Sequence, residues 1–405
     1  MRRGQIGVLT ILALSPPLWA FGQIPGGPQS GKTASPKERL AVLVKAQEDA
    51  LQQYGKELEG EKSAQEQQKA IDRYVAEVRK NTKGALDLVR AHPRDLVDVE
   101  ALRFVIRFAR AGPSNASEQA IAILSRDHVG DPKMGDICAN IVFFFHLPIA
   151  ESLIRAVLEG HPNREDRGLA CHALATYLKY QARMVRRLRE KPEQVADYVQ
   201  TLGKEAMARF LREKDPVELD KEAEALLERV VSEFGTVPYY NQRTLADIAA
   251  GELFALRHLQ VGKVAPEIEG RDVDGKAFKL SDFRGKVVVL TFSGNWCGPC
   301  RAMYPQERQL VERLKDKPFE LVSVNSDEAE ETLRTSIGTG EITWRCWRDG
   351  GTEGPITTRW GVSSFPTIYI LDPGGVIRFK DARGEALDEA VSALLLEPSA
   401  TRPKP

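Results

Sequence analysis

Cysteine is scarce in this sequence. The 405 residues contain five cysteines, at positions 138, 171, 297, 300 and 346. An odd and sparse set does not provide the disulfide framework of a small stapled scaffold. A chain of this length is instead expected to form two or three domains with cores of their own.

An excess of charge of either sign is also missing. Lysine and arginine together number 57, as do aspartate and glutamate. A formal net charge of zero gives no argument for binding to nucleic acid or to an anionic membrane surface. With 42% apolar and 28% charged residues, the composition is that of a soluble globular protein.

The N-terminal apolar run is too short to span a bilayer. It covers Ile6 to Ala13, follows two arginines, and is succeeded by two prolines. The small-x-small sequence Ala20-Phe21-Gly22 then offers a cleavage site, which predicts a signal peptide over residues 1–22 and an exported protein. An uncleaved membrane anchor is the alternative. Residues 23–36, rich in glycine and proline, are predicted to form a flexible leader.

Residues 37–260 show helical periodicity and no strand-like alternation. In residues 215–235, Asp215 and Glu218 form a potential capping box, Pro216 suits the first helical position, and Gly235 ends the run. Helical patterns also occupy residues 101–112 and 246–259, and residues 56–80 are interpreted as a long solvated helix. We expect an all-α region, arranged as a repeat-like array such as an α-solenoid or as an irregular bundle.

The pattern changes near residue 261. Strand-like runs at 287–293, 320–326, 367–372 and 376–380 alternate with helical patterns at 298–316, 327–337 and 385–396. This alternation predicts an α/β domain over 261–397 with a central mixed sheet, followed by a disordered tail over 398–405.

Two of the cysteines lie where a buried strand passes into a helix. Cys297 falls at the helix start, where free N–H groups and the helix dipole stabilise a thiolate. Cys300 lies one turn further on the same face, and Pro299 is tolerated in a first turn. The spacing predicts a redox pair in which Cys297 attacks a disulfide and Cys300 releases the mixed disulfide. A zinc site needs two more soft ligands, which the sequence does not offer nearby, and a purely structural disulfide gains little from so short a loop. We therefore expect neither a metal nor a cofactor.

Around this pair the sequence resembles the thioredoxin superfamily, and specifically the exported TlpA/ResA-like thiol-disulfide oxidoreductases. The resemblance covers about residues 261–397 and is carried by Trp296 to Cys300, by Pro305, and by the later segment RWGVSSFPTIYILDPGGVIRFK. It implies that Cys297 and Cys300 are catalytic and that Trp296, Gly298 and Pro299 support them. It also implies that Pro366 is the cis-proline that faces the pair and helps to dock extended substrates.

The sequence departs from the superfamily pattern at several positions. Many thioredoxins carry a buried carboxylate six residues before the first cysteine, where this chain has Thr291. The segment 340–355 is longer and more aromatic than a plain connection needs. The substrate-groove candidates are Phe365, Trp344 and Trp360, although packing of the insertion is the favoured interpretation of the tryptophans. Cys346, Cys138 and Cys171 are interpreted as buried core residues, with a bridge between the last two left open.

Three functional hypotheses follow from these features. The first is an exported enzyme that reduces disulfides in protein substrates and receives electrons from a donor, which is a membrane protein in one version. The second is a thiol peroxidase, because the segment before the cysteines is shared with peroxiredoxins. The third is an interaction protein whose helical region binds a protein partner and whose α/β domain is accessory.

Overall fold

A computed structural model describes residues 34–397, except 60–62, 94, 96, 109–114, 145–146 and 240–242. The predicted signal peptide, nearly all of the predicted leader and the predicted tail lie outside the described residues. The chain divides into two compact units, 1–239 and 240–405. The contact division lies about twenty residues before the change of sequence pattern at 261.

The first unit is built from α-helices, as the sequence predicts. Short 3-10 turns occur at Val142–Phe144 and Pro192–Gln194. In chain order the helices are α1 (Pro36–Glu57), α2 (Ala64–Ala91), α3 (Asp98–Phe108), α4 (Ala116–Asp127), α5 (Met134–Ile141), α6 (Pro148–Gly160), α7 (Arg164–Glu190), α8 (Val195–Leu202), α9 (Lys204–Glu213) and α10 (Pro216–Phe234).

Local sequence signals set several of these helix ends. The Ser63 hydroxyl accepts a hydrogen bond from the backbone N–H of Glu66, whose carboxylate accepts from the Ser63 N–H, so a capping box opens α2. The expectation of a single solvated helix over 56–80 is therefore wrong, because α1 ends at Glu57 and α2 begins at Ala64. α2 also buries one of its faces. In α10, Asp215 caps the Val217 N–H, but Glu218 does not complete the expected box.

The core of the helical unit is formed around α7. This helix packs against α5, α6 and α10. Small side chains along α7, among them Ala170, Ala173 and Ala182, are buried, and they allow neighbouring helices to approach closely. At the start of the unit each helix from α1 to α3 packs against the next one in the chain. The repeat-like arrangement of the helices stays a prediction.

Cys138 and Cys171 are buried core residues with free thiols. Burial raises the pKa of Cys138, and it raises the pKa of Cys171 to about 12. Thiols held in their neutral form in this way are poor nucleophiles. The two cysteines do not form the bridge that the sequence left open.

The second unit is an α/β domain with a mixed sheet, as predicted. Its helices are α11 (Leu245–His258), α12 (Gly298–Leu314), α13 (Glu330–Gly338), α14 (Pro355–Arg359) and α15 (Glu385–Leu396). Its strands are β1 (Glu269–Arg271), β2 (Ala277–Lys279), β3 (Val287–Ser293), β4 (Phe319–Asn325), β5 (Arg345–Arg348), β6 (Thr367–Leu371) and β7 (Ile377–Lys380). The short strands β1, β2 and β5 and the short helix α14 are elements that the sequence patterns did not predict.

β3 is the central strand of the main sheet. The strand order is β5-β4-β3-β6-β7, with β3 parallel to β4 and antiparallel to β6. All seven residues of β3 are buried, because both faces of the sheet are covered. Val287 and Val289 belong to one core layer with residues of α12 and α15, whereas Val288, Leu290 and Phe292 belong to the opposite layer.

We predict that truncation of Leu174 in α7 destabilises the helical unit. Leu174 is fully buried, so Leu174→Ala removes apolar contacts and leaves a cavity, which costs about 2–5 kcal/mol. Val42 is exposed on α1, and Val42→Ala is the matched control, with an expected change below about 0.5 kcal/mol. Urea denaturation followed by far-ultraviolet circular dichroism measures both. Equal midpoints for the two variants would contradict the assigned core.

Candidate active site

The candidate site begins where β3 ends and α12 starts. Cys297 is the N-cap residue of α12, and its Sγ accepts a hydrogen bond from the Cys300 N–H at 3.2 Å. The N–H groups of Cys300 and Arg301 also lie 3.1 Å from the Cys297 carbonyl oxygen. The Cys297 sulfur thus lies at the positive end of the helix dipole, where negative charge is stabilised.

Cys297 and Cys300 are joined by a disulfide, with their Cα atoms 5.3 Å apart. The exposed fraction is 4% for Cys297 and 1% for Cys300. An incoming sulfur therefore meets Cys297 before Cys300, because Cys300 lies one turn inside the helix against the core. Gly298 and Pro299 form the exposed first residues of α12 between them.

The loop that precedes Cys297 is held by the loop that follows β4. The buried carboxylate of Asp327 accepts hydrogen bonds from the Asn295 backbone N–H at 2.7 Å, from Asn295 Nδ2 at 2.8 Å and from Asn325 Nδ2 at 2.9 Å. The Ser326 N–H and hydroxyl both donate to the Ser293 carbonyl oxygen. This network fixes the approach of the chain to the cysteine pair.

Trp296 is the most prominent exposed side chain beside the disulfide. It is 55% exposed, yet its indole Nε1 donates a hydrogen bond to the Ser326 carbonyl oxygen at 3.2 Å. Its ring packs edge-to-face on Phe365, with 5.1 Å between the centroids. Gly294 makes this pose available, because a Cβ at that position would overlap Trp296 Nε1 and lie 3.0 Å from Ser326 Oγ.

The cis-proline implied by the resemblance is present. The Phe365–Pro366 peptide bond is cis, and Pro366 directly precedes β6. Arg383 Nη2 donates to the Pro366 carbonyl oxygen at 2.6 Å and holds this turn. Phe365 packs partly buried against both core layers and contacts Trp296, so it is the groove candidate that lies beside the cysteine pair.

The other two groove candidates are core residues, which corrects the groove interpretation of them. Trp360 packs between Phe292 and Tyr369, in the layer on the face of the sheet opposite the cysteines. Trp344 is buried beneath α12, where its ring contacts Tyr304 and its Nε1 donates to Ser323 Oγ at 3.2 Å. Trp344 directly precedes the edge strand β5, whereas Trp360 packs over β3 and β6, and both rings belong to the core.

Cys346 is a third thiol in the layer of the redox pair. Its Sγ accepts a hydrogen bond from the Ser323 hydroxyl at 2.9 Å, and burial raises the pKa of this thiol to about 12. The neutral thiol is therefore favoured, in agreement with the interpretation of Cys346 as a buried core residue. In the part of the chain that the structure describes, no group of three or more His, Cys, Asp or Glu side chains is arranged to hold a metal ion.

Glu307 is a feature that sequence reasoning missed. It lies seven residues after Cys300 on α12, and therefore on the same face of the helix. Its carboxyl has no hydrogen-bond or ion-pair partner among the described residues, and burial raises its pKa to about 8. The signal in the sequence is a glutamate on the apolar stripe of a helix. At the position of the usual superfamily carboxylate, Thr291 is buried and its Oγ1 also has no partner in the described part of the chain.

The fold and the site together define a thioredoxin-fold domain with a C-x-x-C disulfide at a helix N-terminus. Residues 261–380 match the AhpC/TSA family. Thiol-disulfide oxidoreductase ResA of Bacillus thuringiensis subsp. konkukian is 30% identical over 137 residues, which are 34% of this chain and 78% of that protein. Thioredoxin-like protein YneN of Bacillus subtilis is 33% identical over 123 residues, 30% of this chain and 70% of that protein. Through its C-terminal third, the chain belongs to the family of ResA-type thiol-disulfide oxidoreductases.

A solved structure is similar to the same part of the chain. It is the crystal structure of the thioredoxin domain of a thiol-disulfide oxidoreductase from Bacteroides vulgatus, with 30% sequence identity and a TM-score of 0.32. The similarity covers 34% of this chain and 98% of that chain.

We predict that Gly294→Ala displaces Trp296. The added Cβ occupies the space of the indole nitrogen, so the hydrogen bond to Ser326 is lost. NMR of the tryptophan indole N–H groups should show faster solvent exchange of the Trp296 proton. Gly338→Ala is the matched control, because nothing lies within 4 Å of a Cβ there. An unchanged Trp296 exchange rate in Gly294→Ala would contradict the described packing.

We predict that Glu307 makes stability fall as the pH rises. Its pKa is about 8 in the folded chain and near 4.5 in the unfolded chain, so the folded state binds the extra proton between these values. The stabilisation is complete below the unfolded pKa and is lost as the pH rises through the folded pKa. Glu307→Gln should remove this dependence, which is on the order of a few kcal/mol. Urea unfolding at a series of pH values, in the wild type and in the variant, measures it; parallel pH profiles would contradict it.

Proposed function

We propose that this protein is an exported thiol-disulfide oxidoreductase that reduces disulfides in protein substrates through Cys297 and Cys300. The observation that carries the proposal is the position of Cys297 as the N-cap of α12, with Sγ at 3.2 Å from the Cys300 N–H. The family membership of the C-terminal third supports the same chemistry. Trp296, Gly298, Pro299 and Pro366 support the pair as neighbours.

The reaction runs through two exchanges of a disulfide bond. In the reduced protein, the Cys297 thiolate attacks one sulfur of the substrate disulfide, and the other substrate sulfur leaves as a thiolate. Deprotonated Cys300 then attacks Cys297 Sγ, the second substrate sulfur leaves, and the Cys297–Cys300 disulfide forms. Two electrons pass to the substrate, which takes up two protons. The 5.3 Å separation of the two Cα atoms lies within the range of disulfide-bonded cysteines, so the first turn of α12 accommodates the closed pair.

The reducing direction and the exported location are supported by sequence features. Glycine and proline between the cysteines are usual in reducing members of the superfamily that the chain resembles. The sequence of residues 1–22 favours export, where a reducing enzyme needs an electron donor, which we propose to be a membrane dithiol protein. Among the described residues, no helix combines the length and the hydropathy needed to cross a bilayer.

The helical unit is proposed to bind a protein partner. Its described residues have an apolar core of their own around α7, and the residues of the cysteine layer belong to the α/β domain. Its role is thus separable from the chemistry of the disulfide, and binding of a substrate protein or of the donor would bring that protein to the redox domain.

The test is reduction of insulin disulfides by the full chain and by two single-cysteine variants. We expect Cys297→Ser to lower turnover to the uncatalysed background, because the attacking sulfur is lost. Cys300→Ser should accumulate mixed disulfides on Cys297, which non-reducing electrophoresis detects. In the reduced Cys300→Ser protein, the pH dependence of alkylation should give a Cys297 pKa below the ordinary value of about 8.5.

Two outcomes would contradict the proposal. One is insulin reduction that Cys297→Ser leaves unchanged, and the other is an absence of turnover in the wild type, which would favour the interaction-protein hypothesis. Cys346→Ser is the matched control, because Cys346 is buried and held neutral, and it should retain wild-type turnover. Consumption of hydrogen peroxide without insulin reduction would favour the thiol peroxidase.

A further inference from the structure

Two adjoining hollows lie along one side of the disulfide, between the loop before Cys297 and the start of α13. One has a volume of about 460 Å³ and is lined by residues that include Trp296 and Glu328. The other has a volume of about 450 Å³ and is lined by residues that include Arg301 and Glu331. Both are lined by Asn295 and by Thr332, so together they form one groove, here called the α13 groove.

Most of the charge in the α13 groove is already compensated. The carboxylate of Asp327 is buried beneath three N–H donors. The Glu341 carboxylate lies 3.6 Å from Arg301 Nε and also accepts a hydrogen bond from the Ser336 hydroxyl at 3.2 Å. Arg301 is the one cationic side chain among the residues that line the two hollows, and it is paired with Glu341, which also lines the groove.

Two carboxylates in the groove are not compensated. The side chains of Glu328 and Glu331 are exposed and have no hydrogen bond or ion pair with any described residue. The neighbouring Glu330, which does not line the groove, is paired with Arg334 at 2.8 Å and Arg348 at 3.6 Å. The unpaired negative charge thus lies on the side of the groove that is formed by the first turn of α13 and the loop before it.

Hydrogen bonds hold two residues at the rim of the groove, and one buried oxygen atom there has no partner among the described residues. Asn295 donates through its backbone and its Nδ2 to Asp327, whereas its Oδ1 is buried with no partner among the described residues. Trp296, which forms the end of the groove nearest Cys297, is held by its hydrogen bond to Ser326. A polypeptide in the groove therefore meets the exposed ring of Trp296 and two carboxylates without a side-chain partner among the described residues.

We propose that the α13 groove binds the segment of a substrate protein that flanks its reactive cysteine, and that it selects segments with lysine or arginine at that point. Trp296 and Asn295 precede Cys297 by one and two residues, so the groove starts within about 7 Å of chain length from Cys297, whose sulfur attacks the substrate. An extended segment advances about 3.3 Å per residue. A basic side chain within about three positions of the substrate cysteine reaches Glu328 or Glu331.

This inference rests on the proposed function, because it names the substrates of the same disulfide. The covalent step is the one already described, in which Cys297 attacks the substrate sulfur and the substrate receives two electrons. The carboxylates form no bond to the reacting atoms. They raise the rate of encounter and the occupancy of the groove by opposite charge, and salt screens both effects.

The experiment compares two peptide disulfides that differ in charge alone. Each is a symmetric disulfide of a short peptide with one cysteine, flanked two and three positions away by lysine in one peptide and by glutamate in the other. The full chain is reduced and freed of reductant, and single-turnover rate constants are measured at low and at high salt. We expect the lysine peptide to react about three- to tenfold faster at low salt, and the difference to shrink at high salt.

The double variant Glu328→Gln/Glu331→Gln should bring the two peptide rate constants within about twofold of each other. Its reaction with the neutral disulfide of 2-mercaptoethanol should equal that of the wild type, because no reacting group changes. The matched control is Glu312→Gln/Glu389→Gln, which removes two exposed carboxylates that do not line the groove; Glu312 lies near the far end of α12, about 20 Å along the helix from Cys297. This control should retain the preference for lysine.

The possible results separate the inference from the proposed function. Equal rates for both peptides in the wild type, or an unchanged preference in the Glu328→Gln/Glu331→Gln variant, would overturn the inference while leaving the oxidoreductase intact. A chain that reduces neither peptide nor the neutral disulfide would overturn the proposed function and the inference with it. A preference lost equally in the control variant would assign the effect to net charge instead of to the groove.

Discussion

The candidate site depends on one junction, at which a fully buried central strand passes within a few residues into a helix. β3 is paired on both sides and covered on both faces, so its end has a fixed position. α12 starts immediately after the short loop, and Cys297 occupies the N-cap, where the unpaired N–H groups of the first turn converge. The reactivity proposed for Cys297 comes from this placement, because the free N–H groups are a property of every helix start.

A helix start alone does not fix the chain around a disulfide. The neighbouring loops provide this support. The Asp327 carboxylate accepts hydrogen bonds from Asn295 and Asn325, and these bonds connect the loop after β3 to the end of β4. Gly294 leaves room for the Trp296 ring to turn back toward Ser326. The polar groups close to the disulfide are thus largely paired with each other. The unpaired carboxylates lie further out along the α13 groove, where they can meet a partner without disturbing the redox pair.

The helical unit is stabilised by a core of its own, and its cysteines are held in a different environment from the disulfide. Its core is formed by helices packed on α7, and small residues along α7 permit close approach on several sides. Its two cysteines are buried with free thiols, and burial keeps them protonated. The chain therefore carries three buried free thiols and one disulfide, which we propose to be the reactive pair, and the difference among the five cysteines is their local environment.

Sequence alone determined the elements whose signals are local. The seven-residue apolar run at 287–293, the cap and proline at the start of α10, and the C-x-x-C spacing each depend on neighbouring residues, and the structure has β3, α10 and the disulfide at those places. Short elements such as β5 carry too few residues for a period, and their pairing with distant strands creates them.

Tertiary structure decided which side chains surround the site. Trp344 and Trp360 have similar sequence surroundings, but the sheet places them in opposite core layers. Glu307 lies on the buried face of α12, whereas Glu331 on α13 and Glu328 in the loop before α13 are exposed, and the packing around each residue decides this difference. Burial and charge pairing are sums over residues far apart in the chain, so no local pattern contains them.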